Sequence, residues 1–216
     1  MSGIRELQFS PYVIRTERLL LRCFNPADAF LLQTAIAESL PELLPWIPWA
    51  PNEPESLDAK IDRLRRMRGA FDLDQDYSHG VFAPDDSAVL GGAGLHPRVG
   101  PGAFEIGYWI HSAHHGKGYA TECVAALTRV AFEFHRVDRV EIHCDPENAA
   151  SAAVARKLGF AHEATLQRRF TNPAGRPRDT MLWSLFASDY REAAASKAKI
   201  EAFDAIGRPM LGIAGA

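Results

Sequence analysis

The stretch that decides the fold is His111-Ser-Ala-His-His-Gly-Lys-Gly-Tyr-Ala-Thr-Glu122, and the apolar run Phe104-Glu-Ile-Gly-Tyr-Trp-Ile110 comes directly before it. The pattern predicts a strand, a glycine turn and then a helix. This order suits phosphate groups, because glycines let backbone N–H groups turn inward and the first helical turn adds unpaired N–H donors at the positive end of its dipole. We therefore interpret residues 115–120 as the pyrophosphate cradle of a nucleotide-bearing cofactor, and call them the phosphate cradle.

Length and composition favour one globular domain in a reducing compartment. The chain has 216 residues, of which 47% are hydrophobic and 24% charged, and its net charge is −3. This balance supplies no basic field for nucleic acid, so no direct contact with nucleic acid is expected. No apolar run approaches the roughly 20 residues of a membrane span, and the first residues lack the apolar core of a signal peptide. Cys23, Cys123 and Cys144 follow no metal or disulfide spacing, and we expect a cytoplasmic protein.

The pattern of apolar and turn-forming residues predicts strands and helices that alternate along most of the chain. The predicted strands lie at residues 16–23, 77–83, 89–98, 104–110, 140–144, 160–170 and 178–186, and the predicted helices at 25–40, 55–71, 118–134 and 148–158. A turn at residues 172–175 joins the last two strands, and the order as a whole predicts a mixed α/β sheet. The alanine-rich segment 190–206 is predicted to form a solvated or partner-packing helix, with a loose end from residue 207.

Four motifs stand in a fixed order along the chain: Glu105-Ile-Gly-Tyr-Trp-Ile110, His115-Gly-Lys-Gly-Tyr-Ala-Thr-Glu122, Asn148-Ala-Ala-Ser151 and Lys157-Leu-Gly-Phe160. In this order they resemble the GNAT superfamily of acetyl-CoA-dependent N-acetyltransferases, and within it the RimJ/RimL-type branch. Thr16-Glu-Arg-Leu-Leu-Leu-Arg22 and Trp46-Ile-Pro-Trp49 support the likeness. It covers about residues 15–190.

The resemblance implies the GNAT fold, which is a mixed, mostly antiparallel central sheet of about seven strands, flanked by helices and splayed at the strands that bind the cofactor. It implies a single acetyltransferase domain over residues 1–190, with residues 191–216 as a C-terminal helical extension and loose tail. The implied activity is direct transfer of an acetyl group from acetyl-CoA to a primary amine, through a ternary complex and without a metal. The acceptor is either the N-terminal amino group of a protein or peptide, or a small amine. The tail helix could pair two chains in a homodimer.

The residues expected to bind acetyl-CoA are Ile110, His115, Gly116, Lys117, Gly118, Tyr119, Ala120, Asn148 and Ser151. The strand end near Ile110 could offer an N–H to the acetyl oxygen. By resemblance, Asn148 hydrogen-bonds the cofactor arm, and Ser151 hydrogen-bonds its sulfur as a catalytic residue. Two positions depart from the family pattern. His115 stands where Gln or Arg is usual. Ala155 stands where many members carry a tyrosine, and in lacking that tyrosine the chain resembles the serine subtype.

Glu105 is the candidate general base for the incoming ammonium, because strand alternation puts it on the same face as Gly107 and Trp109. The alternative is a carboxylate that faces solvent or pairs with an arginine. Trp46 and Trp49 are candidate acceptor-binding residues, since two rigid indoles in a proline-rich loop suit a pocket wall. Plain packing is the alternative for both.

Three polar clusters have less specific interpretations. His111, His114 and His115 lack a fourth ligand at metal spacing, so no metal site is expected. The basic run at residues 63–68 is most simply a solvated helix face, and a peptide- or RNA-facing role is the alternative. The aspartates within residues 72–76 could attract a cationic acceptor or form an ordinary polar loop. A non-catalytic CoA-binding sensor or assembly module is the alternative to an enzyme, and it would bind the cofactor without turnover.

Overall fold

In the part of the chain that the structure describes, ten strands form one sheet with helices on both of its faces. The structure is a computed structural model, and it describes residues 10–172 and 175–210. The strands are β1 (Val13–Arg15), β2 (Leu20–Arg22), β3 (Tyr77–Phe82), β4 (Val89–His96), β5 (Ala103–Ile110), β6 (Arg139–Cys144), β7 (Ala161–Thr171), β8 (Pro177–Phe186), β9 (Glu201–Phe203) and β10 (Pro209–Met210). The helices are α1 (Ala29–Leu43), α2 (Leu57–Asp72), α3 (Tyr119–Glu133), α4 (Ala149–Leu158) and α5 (Ala187–Tyr190).

The order of strands across the sheet is β10-β9-β1-β2-β3-β4-β5-β6-β8-β7. Each neighbouring pair among the described strands is antiparallel except β5 and β6, which run parallel. The expected mixed and mostly antiparallel architecture is confirmed.

Strands β5 and β6 separate soon after they begin. Their pairing joins Ala103–Glu105 to residues 139–141, whereas β5 continues to Ile110 and β6 to Cys144. The second half of β6 keeps its ladder with β8 on the other side. The unpaired halves of β5 and β6 therefore enclose an opening in the sheet, here called the notch. This is the splay expected at the cofactor-binding strands.

Alternation along the strands sends neighbouring side chains into two separate cores. Leu20 and Phe82 pack with α1 and part of α2 on one face, while Leu21 and Val81 pack with α3 and α4 on the other. We call these the α1–α2 face and the α3–α4 face. Because the register is fixed wherever both faces are buried, each residue of β5 has a defined side of the sheet.

The three alternate residues of β5 that were predicted to share a face do so. In the ladder with β4, Glu105 lies opposite His96, Gly107 opposite Gly94 and Trp109 opposite Gly92. Trp109 packs against the core of the α1–α2 face, which places Glu105 and Gly107 on that face too. The intervening residue Tyr108 packs against the core of the α3–α4 face.

The strand predicted at residues 16–23 is shorter than expected, because β2 begins only at Leu20 and residues 16–19 form the tight turn that joins it to β1. The backbone N–H of Thr16 donates to the carbonyl of Leu19 (2.9 Å), and the N–H of Leu19 donates to Oγ1 of Thr16 (3.0 Å). A threonine hydroxyl that bonds nearby backbone competes with the strand ladder. The single predicted strand is therefore wrong over residues 16–19.

The helix predicted at residues 190–206 is also wrong. The segment forms a short 3₁₀ turn at Ala194–Lys197 and then β9, which pairs with β1 at the sheet edge. The alanines of this segment allow close packing and do not form a helix. Ala195 is fully buried, and a Cβ on Gly159 would lie 2.9 Å from the Cβ of Ala193. The three described strands beyond the seven expected are β1, β9 and β10.

Two sequence predictions fall partly outside the described residues. The turn at residues 172–175 contains Pro173 and Ala174, and the loose end includes residues 211–216. On either side of the first gap, the N–H of Gly175 donates to the carbonyl of Asn172 (2.8 Å), which brings the ends of β7 and β8 together.

Candidate active site

A cavity of about 1060 Å³ lies at the notch and is lined from both faces of the sheet. Trp49, Glu105 and Gly107 line it from the α1–α2 face, and Tyr108 and Ser151 line it from the α3–α4 face. Clefts of this kind, with apolar walls and a few convergent polar groups, are typical small-molecule sites. Two reactants could therefore enter from opposite faces of the sheet and meet in the notch.

The phosphate cradle has the geometry that the glycine pattern predicted. Gly116 and Gly118 have φ values of +76° and +82°, in the left-handed region that favours glycine. In the described part of the chain, the backbone N–H groups of Gly116, Lys117 and Gly118 donate no hydrogen bond. Helix α3 begins at Tyr119 and adds the N–H groups of its first turn. These donors fit the diphosphate of coenzyme A.

The side chain of His115 fastens the cradle to the end of β5. Its Nε2–H donates to the carbonyl of Ile110 (2.9 Å). The backbone N–H of His111 donates to Leu90 on β4 (2.8 Å), and N–H directions alternate along a strand. The N–H of Ile110 therefore points into the notch, which is the position predicted for a donor to the acetyl oxygen. The histidine thus holds the turn in place of the Gln or Arg usual in the family.

A second set of contacts ties the cradle to the turn between β1 and β2. The carboxylate of Glu122 on α3 accepts from Oγ1 of Thr16 (2.6 Å) and forms an ion pair with Arg18 (2.6 Å). Nη1 of Arg18 also donates to the carbonyl of Lys117 (2.9 Å). In the sequence, residues 16–22 indicate only the family resemblance. The contact joins residues more than 100 positions apart, and no local pattern in the sequence signals it.

Asn148 and Ser151 stand at the start of α4 beside the cavity. Oδ1 of Asn148 accepts from the backbone N–H of Ser151 (3.0 Å), so Asn148 is the N-cap of the helix. The hydroxyl of Ser151 lies 2.8 Å from the hydroxyl of Tyr108, which reaches across the notch from β5. Burial raises the pKa of the Tyr108 phenol above its ordinary value, which keeps it protonated as a donor at neutral pH.

Tyr108 is a site residue that the sequence analysis missed. Ala155, at the position where the resemblance places a tyrosine in many superfamily members, is a fully buried residue of α4. The tyrosine hydroxyl comes instead from β5, where it pairs with Ser151. Strand alternation already put Tyr108 on the face opposite Glu105, and that was the available signal.

Glu105 forms a bidentate ion pair with Arg98, with both N–O distances at 2.7 Å. Nδ1 of His143 is 3.8 Å from the same carboxylate. Burial alone would raise the pKa of the Glu105 carboxyl, but the hydrogen bonds and charge of Arg98 outweigh it and hold that pKa below its ordinary value. This is the arginine pairing named above as the alternative. These contacts do not favour the predicted role as a base, which stays a prediction.

Trp46 and Trp49 both line the cavity. The ring of Trp49 meets Trp109 edge to face, with centroids 6.2 Å apart. A Cβ on Gly92 would lie 2.7 Å from Nε1 of Trp109, so the glycine lets that indole lie against the sheet. Trp49 and Trp109 therefore form one wall on the α1–α2 face. The role of Trp46 and Trp49 in binding the acceptor stays a prediction.

The other polar clusters have internal partners. In the basic run on α2, Arg65 and Arg66 both pair with Asp62, as expected of a solvated helix face. Nε2 of His111 lies 2.9 Å from a carboxylate oxygen of Glu38. Across residues 10–172 and 175–210, no group of three or more possible ligands could hold a metal ion, and no helix is long and apolar enough to cross a membrane.

The split sheet and the phosphate cradle are those expected of an acyltransferase that takes its acyl group from coenzyme A. A family model described as acetyltransferase (GNAT) domain matches residues 18–161. The chain belongs to this family.

Comparisons with individual proteins agree. Uncharacterized N-acetyltransferase p20 of Bacillus licheniformis is 35% identical over 176 residues, which are 81% of this chain and 96% of p20. The ribosomal protein uS5-alanine N-acetyltransferase of Escherichia coli (strain K12) is 27% identical over 186 residues, covering 82% of this chain and 92% of that enzyme. RimJ of Mycobacterium smegmatis, solved in complex with CoA-disulfide, shares the fold with a TM-score of 0.75 at 23% identity, covering 86% and 92% of the two chains.

The chain is therefore an acetyl-CoA-dependent N-acetyltransferase, and its predicted place in the RimJ/RimL-like branch is confirmed. The class of reaction follows from the family. The acceptor and the roles of individual residues are the subject of the proposals below.

Proposed function

We propose that the enzyme acetylates the N-terminal amino group of a protein or peptide, by direct transfer in a ternary complex with acetyl-CoA. The observation that carries this proposal is that one cavity at the notch is lined by residues from both faces of the sheet. A donor held on the α3–α4 face and an acceptor held on the α1–α2 face meet there without crossing the sheet. The relative named for an alanine of ribosomal protein uS5 supports a polypeptide acceptor.

In this proposal each part of the site has one task. The N–H groups of the cradle bind the diphosphate, and the N–H of Ile110 stabilises the negative charge that develops on the acetyl oxygen. Asn148 orients the cofactor arm and caps α4, while Ser151 donates to the sulfur with Tyr108 behind it. Acetyl-CoA supplies the acyl group as a thioester, and a free thiol has a pKa of about 8.5, so it leaves readily.

Replacing Trp49 by alanine should raise the KM for a peptide acceptor about 30-fold, because a buried aromatic anchor contributes about 2 kcal/mol to binding. The Kd of acetyl-CoA should stay within a factor of about two, since the indole lies on the opposite face from the cofactor arm. Steady-state kinetics and calorimetry measure the two values. Phe30→Ala is the matched control, since Phe30 is 66% exposed and does not line the cavity. An unchanged acceptor KM in Trp49→Ala would remove the indole wall from the acceptor site.

A small amine acceptor is the second candidate within the enzyme class. It is favoured if free amino acids or polyamines turn over faster than peptides. The non-catalytic alternative predicts cofactor binding with no thiol release on any amine.

Mass spectrometry of an acceptor panel separates these possibilities. The panel contains peptides that begin with Ala, Ser or Met, the same peptides with blocked N-termini, and small amines. We expect one acetyl group on the free N-terminus and none on the blocked peptides. Acetylation of lysine side chains in blocked peptides, or of small amines alone, would contradict the proposed acceptor.

The expectations about the domain boundary, cellular location, homodimer and nucleic-acid binding stay proposals. We extend the acetyltransferase domain beyond residue 190 to include residues 191–210, because β9 pairs with β1 in the same sheet. Cys23, Cys123 and Cys144 are all unpaired and buried, which fits the cytoplasmic location expected from the sequence. A homodimer and the lack of direct nucleic-acid binding are kept as proposals, although the tail helix expected to mediate the dimer is replaced by strand.

A further inference from the structure

His96, the last residue of β4, lies flat against the sheet at the edge of the notch. Cβ atoms on the glycines beside it would crowd its ring: one on Gly94 would be 2.7 Å from Cε1, and one on Gly107 would be 3.3 Å from Nε2. Neither glycine has a positive φ, so the backbone does not require them. The two glycines leave room for the imidazole, which lines the cavity on the α1–α2 face.

An aspartate fixes the tautomer of this histidine. Oδ2 of Asp76 lies 2.7 Å from Nδ1 of His96, and Ser78 donates to the other carboxylate oxygen of Asp76 (2.7 Å). Burial alone would raise the pKa of the Asp76 carboxyl, but the hydrogen bond and charge of His96 outweigh it, so that pKa lies below its ordinary value. An ionised carboxylate can only accept, and Nδ1 therefore carries the proton.

The lone pair of His96 Nε2 is left free toward the notch. Among residues 10–172 and 175–210 no hydrogen bond involves Nε2, and a Cβ added to Gly107 would lie 3.3 Å from this nitrogen. Gly107 follows Glu105 by two residues, and Glu105 is the last residue of β5 that pairs with β6. The unpaired nitrogen therefore sits where the sheet opens, on the side from which the acceptor enters.

We propose that His96 is the general base of the acetyl transfer and that Asp76 is its positioning residue. This assignment rests on the proposed function. Nε2 takes a proton from the acceptor ammonium, which leaves a neutral amine and an imidazolium paired with Asp76. The amine lone pair then forms the C–N bond to the acetyl carbon, the C–S bond breaks, and a proton from the nitrogen passes to the thiolate. The imidazolium returns its proton to water, so one amide, one thiol and one proton leave the site.

The base and the hydroxyl pair stand on opposite faces of the same opening. His96 faces the notch from the α1–α2 face, and Ser151 with Tyr108 faces it from the α3–α4 face. The amine can be deprotonated on one side while the sulfur is stabilised on the other. This arrangement suits the reaction, because the acceptor nitrogen must lose a proton while the sulfur of the leaving thiol must gain one.

Other candidates near the opening are already engaged. Glu105 is held in its ion pair with Arg98. Both ring nitrogens of His143 face carboxylates, with Nε2 at 2.6 Å from Glu141 and Nδ1 at 3.8 Å from Glu105. Around His96 the charged and titratable groups are Asp76 before β3, Arg98 after β4, Glu105 on β5 and His79 on β3. The charges of Arg98 and Glu105 cancel as a pair. Burial lowers the pKa of the His79 imidazole to about 4, which keeps that ring neutral at working pH. Asp76 is thus the charge that remains to balance the imidazolium.

The test compares histidine variants on the peptide acceptor at saturating acetyl-CoA. His96→Gln should lower kcat/KM about 100- to 10,000-fold, while calorimetry gives an unchanged Kd for acetyl-CoA. Because the base must be neutral, kcat/KM of the natural enzyme falls as pH is lowered, and this histidine-dependent limb should vanish in the variant. His96→Gly should regain activity with added imidazole, which a purely structural role would not allow. Asp76→Asn should lower kcat on the order of tenfold and leave the acceptor KM unchanged.

His143→Gln is the matched control, since that histidine lines the same cavity but has carboxylates facing both of its ring nitrogens, Glu141 at Nε2 and Glu105 at Nδ1. The assignment would be overturned if His143→Gln, rather than His96→Gln, removed both the activity and the fall of kcat/KM at low pH. Equal kcat/KM in His96→Gln and the natural enzyme would overturn it as well. The tautomer gives a readout independent of turnover: ¹⁵N spectra should show His96 protonated at Nδ1, and protonation at Nε2 alone would contradict the assignment even if no amine were acetylated. Absence of turnover by the natural enzyme would count against the proposed function instead.

Discussion

Ser151→Ala is expected to lower kcat for acetyl transfer about 10- to 1,000-fold, with little change in the Kd of acetyl-CoA. The hydroxyl of Ser151 is paired with that of Tyr108 at 2.8 Å beside the notch, where it can donate to the sulfur as the C–S bond breaks. Removing one donor that acts mainly in the transition state reduces turnover by about this factor. Thiol release under saturating substrates measures kcat, and calorimetry measures cofactor affinity.

Two further variants sharpen this prediction. Ser87→Ala is the control, since Ser87 lies in the turn between β3 and β4 and bonds only to Asp85. Tyr108→Phe should also lower kcat, and the double variant should lose less than the product of the two single effects, because the two hydroxyls act as one unit. Independent, multiplicative losses would show that the pair does not work together. An unchanged kcat in Ser151→Ala would remove the role proposed for the serine.

Gly118→Val is expected to weaken acetyl-CoA binding on the order of 100- to 10,000-fold. Gly118 has a φ of +82°. A β-branched residue at this φ is strained by about 1–3 kcal/mol, and this strain changes the backbone conformation of the turn. Each charge-assisted hydrogen bond from a backbone N–H to phosphate contributes about 1.5–3 kcal/mol, so the loss of two accounts for the expected range. Calorimetric titration with coenzyme A measures the effect.

Gly207→Val is the matched control for this variant. Gly207 has a φ of +80°, lies outside the cavity and would meet no atom within 4 Å of an added Cβ. Its strain should lower the thermal midpoint of unfolding to a similar degree without changing the affinity for coenzyme A. If both variants bound coenzyme A as the natural chain does, the cradle would not be the phosphate site.

The features that could be predicted from sequence are those set by short-range chemistry. The glycine turn of the cradle can be predicted, because the positive φ at positions 116 and 118, next to the start of a helix, favours glycine. The strands β3 to β6 follow from apolar runs and turns that need no distant partner. Alternation along β5 then fixed the shared face of Glu105 and Trp109.

What could not be predicted depends on register and on packing over long sequence distances. The hairpin register decides that Arg98 reaches Glu105 and that His96 lies over Gly107. The meeting of Tyr108 with Ser151 depends on how far β5 and α4 stand apart across the notch, which no local pattern encodes. The helix predicted at residues 190–206 was wrong because alanine has a high helix propensity. In the structure the small size of these alanines instead lets the chain pack closely on Gly159.

The most direct test of the account is a titration of the isotopically labelled protein with coenzyme A, followed by backbone amide NMR. The account predicts the largest shift changes at the free N–H groups of Gly116, Lys117 and Gly118, with further changes at Ile110 beside the notch. The amide of Gly207 should not move. Binding of coenzyme A that left the three cradle amides unshifted would contradict the claim that these main-chain donors hold its diphosphate.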